Sequence, residues 1–260
     1  MKVAVYQAPL LPIGSLGALN LVREQVARCE AQDISILCCP EAILGGLADF
    51  SDDPHRFAIR VTDGDLDRLL TPLKSTSVTT IIGFTELAPD GNLYNSAAVL
   101  LHGQPAGIYR KHHPARRKSV YSSGSESTVF EVGRLRFGVI ICNDSNYAEP
   151  ARQMGLRGAT ALFVPSNNAV PVARAFPGIV QETRAADTVR AIENRVWVLR
   201  ADVAGKLHEM VAFGTSAVVN PAGKVVCEAK ADCTDLLVAD LAATPDSGQH
   251  MMLKHLGERN

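Results

Sequence analysis

The chain predicts an α/β fold in which two mixed β-sheets pack between outer helices, a four-layer αββα sandwich. Three observations predict it. Apolar runs of strand length alternate with stretches of helical periodicity along most of the sequence. Two hairpin-type turns, Pro89-Asp90-Gly91-Asn92 and His102-Gly103-Gln104-Pro105, bring antiparallel pairing into that alternation. The second half then largely repeats the logic of the first, so two layers of sheet are expected rather than one.

The elements follow in order. Residues 2–8 form an apolar strand, and Leu19, Val22, Val26 and Cys29 then recur at steps of three and four, the stripe of an amphipathic helix. Residues 34–40 are extended and apolar. Leu66, Leu69, Leu70 and Leu73 mark a second helix, and the β-branched run 78–84 a strand. Strands over Tyr94–Leu101 and Gln104–Arg110 follow the two turns. Residues 135–142 form one of the most apolar runs of the chain, leading to a helix near 148–158, a strand over Thr160–Pro165, a polar loop over 166–178, a helix near 180–195 and a strand over Val196–Val203. Three short strands near 211–219, 224–229 and 235–241 close the fold, with Asn220-Pro221-Ala222-Gly223 turning between the first two. No linker composition appears, so residues 1–260 are expected to form one domain. The tail from about Pro245 carries no core pattern and is expected at a subunit interface or mobile.

Composition narrows the function. Hydrophobic residues make up 47% of the 260, enough for a sizeable core. The formal net charge of -1 speaks against nucleic acid or an anionic membrane as partner. The basic cluster from Arg110 to Lys118 is short, is interrupted by Pro114 and reads as a loop. No apolar run reaches the length that crosses a bilayer, and Met1 runs straight into a strand, so no signal peptide is indicated. The six cysteines lack the spacing of a disulfide framework, and a cytoplasmic location is expected. Cys38 and Cys39 would point to opposite faces of a strand and make a poor metal pair. Adjacent His112 and His113 diverge likewise, so no metal is expected. Trp197 reads as core or interface.

Three strand-like runs end on chemically distinct side chains: Glu41 after 34–40, Lys111 after 104–110, and Cys142 at the close of 135–142. Singly, each has a plain explanation, as helix cap, solvated cation or packed thiol. Together they form a complete set for acyl transfer. A thiol needs a base within reach to become the reactive thiolate, and Glu41 can take that proton and later deliver it to a departing amine. Lys111 supplies fixed positive charge for the oxyanion, aided by the Asn143 N–H. Asn167 and Asn168, after the strand 160–165, either line the pocket or form a turn.

The ordered motifs resemble the nitrilase, or carbon–nitrogen hydrolase, superfamily, from Lys2 to about Leu241. The resemblance rests on Val3-Ala4-Val5-Tyr6-Gln7, Cys39-Pro40-Glu41, Tyr109-Arg110-Lys111-His112-His113, Phe137-Gly138-Val139-Ile140-Ile141-Cys142-Asn143-Asp144, Ala191-Ile192-Glu193-Asn194, Gly214-Thr215-Ser216 and Asn220-Pro221-Ala222-Gly223. It implies a Glu41–Lys111–Cys142 triad, an αββα sandwich, no cofactor, and pairing into a homodimer or larger homo-oligomer. The implied reaction is hydrolysis of a non-peptide C–N bond in a small linear amide, ω-amide or N-carbamoyl compound through a thioester. Acyl transfer from the same thioester, a nitrile substrate and a non-catalytic metabolite- or partner-binding role stay open. Asn143, Asn146, Tyr147, Glu149 and Asn167 are the expected substrate-binding residues. The chain departs from the family in three places. Asn143 stands where an aromatic residue usually follows the cysteine, Asn146 where Arg is frequent, and Arg117 near the slot of a second glutamate. These departures imply a modified pocket, in which an Arg could favour an acidic substrate or pair with Glu126 or Asp144.

Overall fold

A computed structural model describes residues 1–241 apart from Leu16, Ser75, Arg116 and Pro177. Two mixed sheets pack face to face. In the larger, the path runs Val170–Pro171, Met210–Phe213, Val203–Leu207, Lys2–Pro9, Ile36–Cys38, Thr79–Leu87, Leu93–Leu101 and Gln104–Arg110. Two further strands join it, Asp235–Asp240 on Lys2–Pro9 and Ile59–Arg60 on Thr79–Leu87. The smaller sheet runs Val225–Glu228, Ala217–Val219, Trp197–Ala201, Ala161–Pro165, Leu135–Val139 and Val129–Val132.

Strand alternation divides the core. Val3, Val5, Ile36 and Cys38 face inward, against Phe137, Val139, Phe163 and Val198 of the smaller sheet. Ala4, Tyr6, Leu37 and Cys39 face outward, against Val22, Val26 and Cys29 of the helix Ala18–Glu30. The two adjacent cysteines thus serve different layers, as their register predicts. The helices Ala151–Leu156 and Gly178–Asn194 pack on each other and cover the far side of the smaller sheet. Among the described residues no helix is long and apolar enough to cross a membrane.

Several boundaries differ from those predicted. The run 196–203 is two strands: Trp197–Ala201 belongs to the smaller sheet and Val203–Leu207 to the larger, with Asp202 between. The run 211–219 divides likewise into Met210–Phe213 and Ala217–Val219, so the chain crosses back. Polar groups fill both crossings. The Asp202 N–H donates to Ser216 Oγ at 2.9 Å, and the Ser216 N–H donates to Gln7 Oε1 at 3.2 Å. Gly214 (φ +74°) turns the second crossing, and a Cβ there would lie 2.5 Å from the Gln7 amide, so only glycine fits. The predicted helix near 148–158 is shorter, Ala151–Leu156. The loop 166–178 contains the two-residue strand Val170–Pro171 and a 3-10 turn over Val172–Arg174. The expectation for the tail from Pro245 lies outside the described residues.

Candidate active site

Four strands end at one cavity of about 700 Å³, and each delivers polar groups into it. Ile36–Cys38 leads to Glu41, Gln104–Arg110 to Lys111, Leu135–Val139 to Cys142, and Ala161–Pro165 to Asn167 and Asn168. Sites at strand C-termini are a general property of layered α/β folds, because the loops that follow parallel strands emerge together.

Glu41 sits where its turn lies flat on the strand Thr79–Leu87. A Cβ at Gly83 would stand 2.5 Å from both Pro40 O and Ala42 N, so glycine is what lets the turn approach. From the other sheet, Ser166 O accepts the Glu41 N–H at 3.2 Å. The Glu41 carboxylate is held by three donors. Lys111 Nζ donates to Oε1 at 2.6 Å, Asn95 Nδ2 to Oε1 at 2.7 Å, and the Asn167 N–H to Oε2 at 2.9 Å. Both members of the ion pair are almost fully buried, 2% and 3% exposed. Burial works against the Lys111 ammonium, but the charge and hydrogen bond of Glu41, with help from Cys142, raise its pKa overall. Lys111 is therefore a permanent cation.

Cys142 opens a 3-10 turn, Cys142–Asn146, with φ +46°, a left-handed conformation uncommon outside glycine. The elbow is held by Asp144, which is fully buried. Its carboxylate accepts the Ile141 N–H at 2.9 Å, the Tyr109 hydroxyl at 2.8 Å and the His113 N–H at 2.8 Å. One carboxylate thus locks the cysteine turn to the chain just beyond Lys111. Arg200 buttresses the same turn from inside the smaller sheet. Its Nη2 donates to Ser145 Oγ at 2.7 Å and to Asp187 Oδ1 at 2.5 Å, and Nη1 donates to Ser166 Oγ. Burial, reinforced by the Glu41 charge, pushes the Cys142 thiol up to about 12, while Lys111 and Arg200 pull the other way. Near neutrality the sulfur is a thiol, so reactivity requires a base to accept its proton.

The raised thiol has a consequence for stability. The folded value lies above the ordinary 9.0, so the neutral thiol's contribution to folding is intact below about 9. That contribution is lost as pH climbs toward 12, and the buried Cys29 thiol and Tyr6 phenol, also raised to about 12, add to the same loss. Urea midpoints are expected to fall across this alkaline interval, and less steeply in Cys142→Ala. Identical slopes for the two proteins would contradict this assignment.

Of the five expected substrate-binding residues, Asn143, Asn146 and Asn167 line the cavity. Tyr147 and Glu149 are not among the lining residues, a correction with a plain cause. The 3-10 turn ends at Asn146 and the chain then leads away from the cavity. The Tyr147 ring stacks on His113, centroids 3.9 Å apart, and Glu149 Oε1 accepts Arg152 Nε at 2.5 Å. Arg117 is exposed and does not line the cavity either, and Asp144 is already occupied by other donors. Sequence reasoning missed Asn95, hidden in an apolar strand, and Arg200 and Asp202, whose charges inside an apolar run were the available signal. The rest of the wall is mixed: Leu47, Phe50, Val170, Pro171, Phe176 and Ile179 are apolar, while Asp49, Arg174 and Glu182 bring charge. Among the described residues, no three His, Cys, Asp or Glu side chains gather as a metal site would require.

The carbon-nitrogen hydrolase family model matches residues 2–244. A Pseudomonas protegens protein described as the hydrolase in the pqqF 5' region is 28% identical over 236 residues, spanning 89% of this chain and 80% of its own. The (R)-stereoselective amidase of a Pseudomonas species is 31% identical over 229 residues, 83% of this chain and 76% of its own. Among solved structures, the NitN amidase of Nesterenkonia sp. AN1 shares the fold with a TM-score of 0.77 at 22% identity, covering 94% of this chain and 93% of that one.

Proposed function

The chain belongs to the carbon–nitrogen hydrolase family, and from that premise we propose that it hydrolyses the non-peptide C–N bond of a small linear amide through a thioester on Cys142. The observation that carries this reading is the buried Glu41–Lys111 pair, 2.6 Å apart, on the wall of the cavity that also holds the cysteine. In the proposed cycle the sulfur attacks the amide carbon while its proton passes to Glu41 Oε2, the oxygen with only one donor already on it. The carbonyl electron pair moves to oxygen, where Lys111 Nζ and the Asn143 N–H meet the developing charge. Glu41 returns the proton to the amine as the C–N bond breaks. A water molecule, deprotonated by the same carboxylate, then attacks the thioester; the C–S bond breaks, the acid leaves and the proton on Glu41 returns to the sulfur. The apolar part of the wall, Leu47, Phe50, Val170, Pro171, Phe176 and Ile179, suits the acyl chain of a compact substrate.

The test is a panel of short linear amides, with and without hydroxylamine. The expected result is release of ammonia and of the acid, with part of the acid replaced by hydroxamate when hydroxylamine competes with water for the thioester. A panel that yields neither product defeats the reading; turnover of nitriles alone would replace amide by nitrile as the substrate.

Self-association is also proposed. Leu156 is 75% exposed, Ile192 53% and Val189 47%, on two helices that pack together, an apolar face of the kind that oligomers bury. Sedimentation is expected to give the mass of a dimer or larger assembly, reduced by Ile192→Glu. A single-protomer mass for the parent protein would contradict it.

A further inference from the structure

The Cys142 thiol has a hydrogen-bond partner other than its proposed base. Its Sγ donates to Asn168 Oδ1 at 3.4 Å. Glu41, by contrast, has its two oxygens engaged by Lys111, Asn95 and Asn167. The orientation of the Asn168 amide is not arbitrary. Its Nδ2 lies 3.2 Å from Asp202 Oδ2 and 3.0 Å from Thr215 Oγ1. An ionised carboxylate only accepts, so the NH2 end must face Asp202 and the carbonyl end must face the sulfur. Thr215 reinforces this choice. Its hydroxyl proton goes to Asp202 Oδ2 at 2.5 Å, which leaves the oxygen lone pairs for Asn168.

Asp202 is itself over-determined. Fully buried at the crossing between the two sheets, it also accepts the N–H groups of Asn168 at 3.0 Å, Val203 at 2.8 Å and Thr215 at 3.1 Å. The crossing that divides the run 196–203 therefore places a rigid acceptor behind the amide that touches the thiol.

We propose that Asn168, oriented by Asp202 and Thr215, holds the Cys142 proton in the resting enzyme and releases it to Glu41 only when substrate enters. The inference rests on Cys142 being the nucleophile. Asn168 is the resting acceptor of the thiol, and Asp202 is a positioning residue that acts through it. When substrate arrives, the S–H turns from Asn168 to Glu41 Oε2. The S–H bond then breaks as the carbon–sulfur bond forms, with the proton on the carboxylate and the electron pair on the substrate oxygen. Until then the thiol is shielded from adventitious electrophiles, because a hydrogen bond given by the neutral form disfavours the thiolate. The charged groups that act on this sulfur from the surrounding elements are Glu41, Lys111, Arg200 and Asp202, and none of them is altered in the test below.

The test is the pH dependence of iodoacetamide alkylation of Cys142, followed by peptide mass in the full-length protein. Asn168→Ala is expected to speed alkylation about fivefold to tenfold at a fixed neutral pH, the size of one lost hydrogen bond, and to shift the whole rate profile to lower pH. Thr215→Val, isosteric and neutral, is expected to move the profile in the same direction by a smaller amount. Thr215→Ser keeps the hydroxyl and is expected to retain the parent profile. The proposal is overturned if Asn168→Ala leaves the profile in place or moves it to higher pH. Should that variant fail to fold, an unchanged Thr215→Val profile overturns it equally. Alkylation displaces iodide and leaves the reagent's C–N bond intact, so this outcome is separate from any failure of the amide panel.

Discussion

Cys142→Ala is expected to abolish amide turnover, by at least about four orders of magnitude, while the melting temperature stays within a few degrees of the parent. The loss is large because the attacking atom itself is removed, and other groups in the cavity can only bind and polarise the substrate. Stability is spared for local reasons. The residue is only half-buried, the thiol's hydrogen bond to Asn168 is a long one, and the left-handed backbone is held by the bonds of Asp144 rather than by the sulfur. Steady-state ammonia release and calorimetry check the two halves. Substantial turnover in this variant would refute Cys142 as nucleophile.

Glu41→Gln is expected to damage both activity and fold. Removing the proton acceptor costs about two to four orders of magnitude in turnover. The stability loss has a separate origin. All three neighbours of the carboxylate are donors: Lys111 Nζ, Asn95 Nδ2 and the Asn167 N–H. A glutamine must point its own NH2 at one or more of them, and the Lys111 ammonium, 3% exposed, loses its counter-charge. Breaking a buried pair in this way costs about 3–5 kcal/mol, which for a chain of this size lowers the melting temperature by roughly 10 °C. A variant as stable as the parent would show that the pair is not held as described.

The contrast between the two substitutions also shows what the sequence could and could not reveal. Glu41, Lys111 and Cys142 were legible because each closes a strand-like run, a local pattern that places chemistry at a strand end whatever the tertiary detail. The layer assignment of Cys38 and Cys39 followed from the same alternation. Asn95 was illegible because it lies within a strand whose pattern is otherwise apolar, and its amide meets Glu41 only when the strands Thr79–Leu87 and Leu93–Leu101 pair. The break at Asp202 was hidden because both halves of 196–203 are apolar enough for a single strand. Only the long-range partners Ser216, Thr215 and Asn168 reveal that the chain changes sheets there. Tyr147 and Glu149 stood close to Cys142 in sequence, but a five-residue 3-10 turn is enough to carry the following chain out of the cavity. Two-residue strands such as Ile59–Arg60 and Val170–Pro171 carry too little pattern to detect.

The most direct measurement is the intact mass of the protein after brief exposure to a reactive linear amide and acid quench, followed by peptide mapping. One acyl group on residue 142, absent from the alanine variant and discharged by hydroxylamine, is the predicted result. Acylation of a different residue, or product accumulating in a burst with no acyl mass on that cysteine, would contradict it.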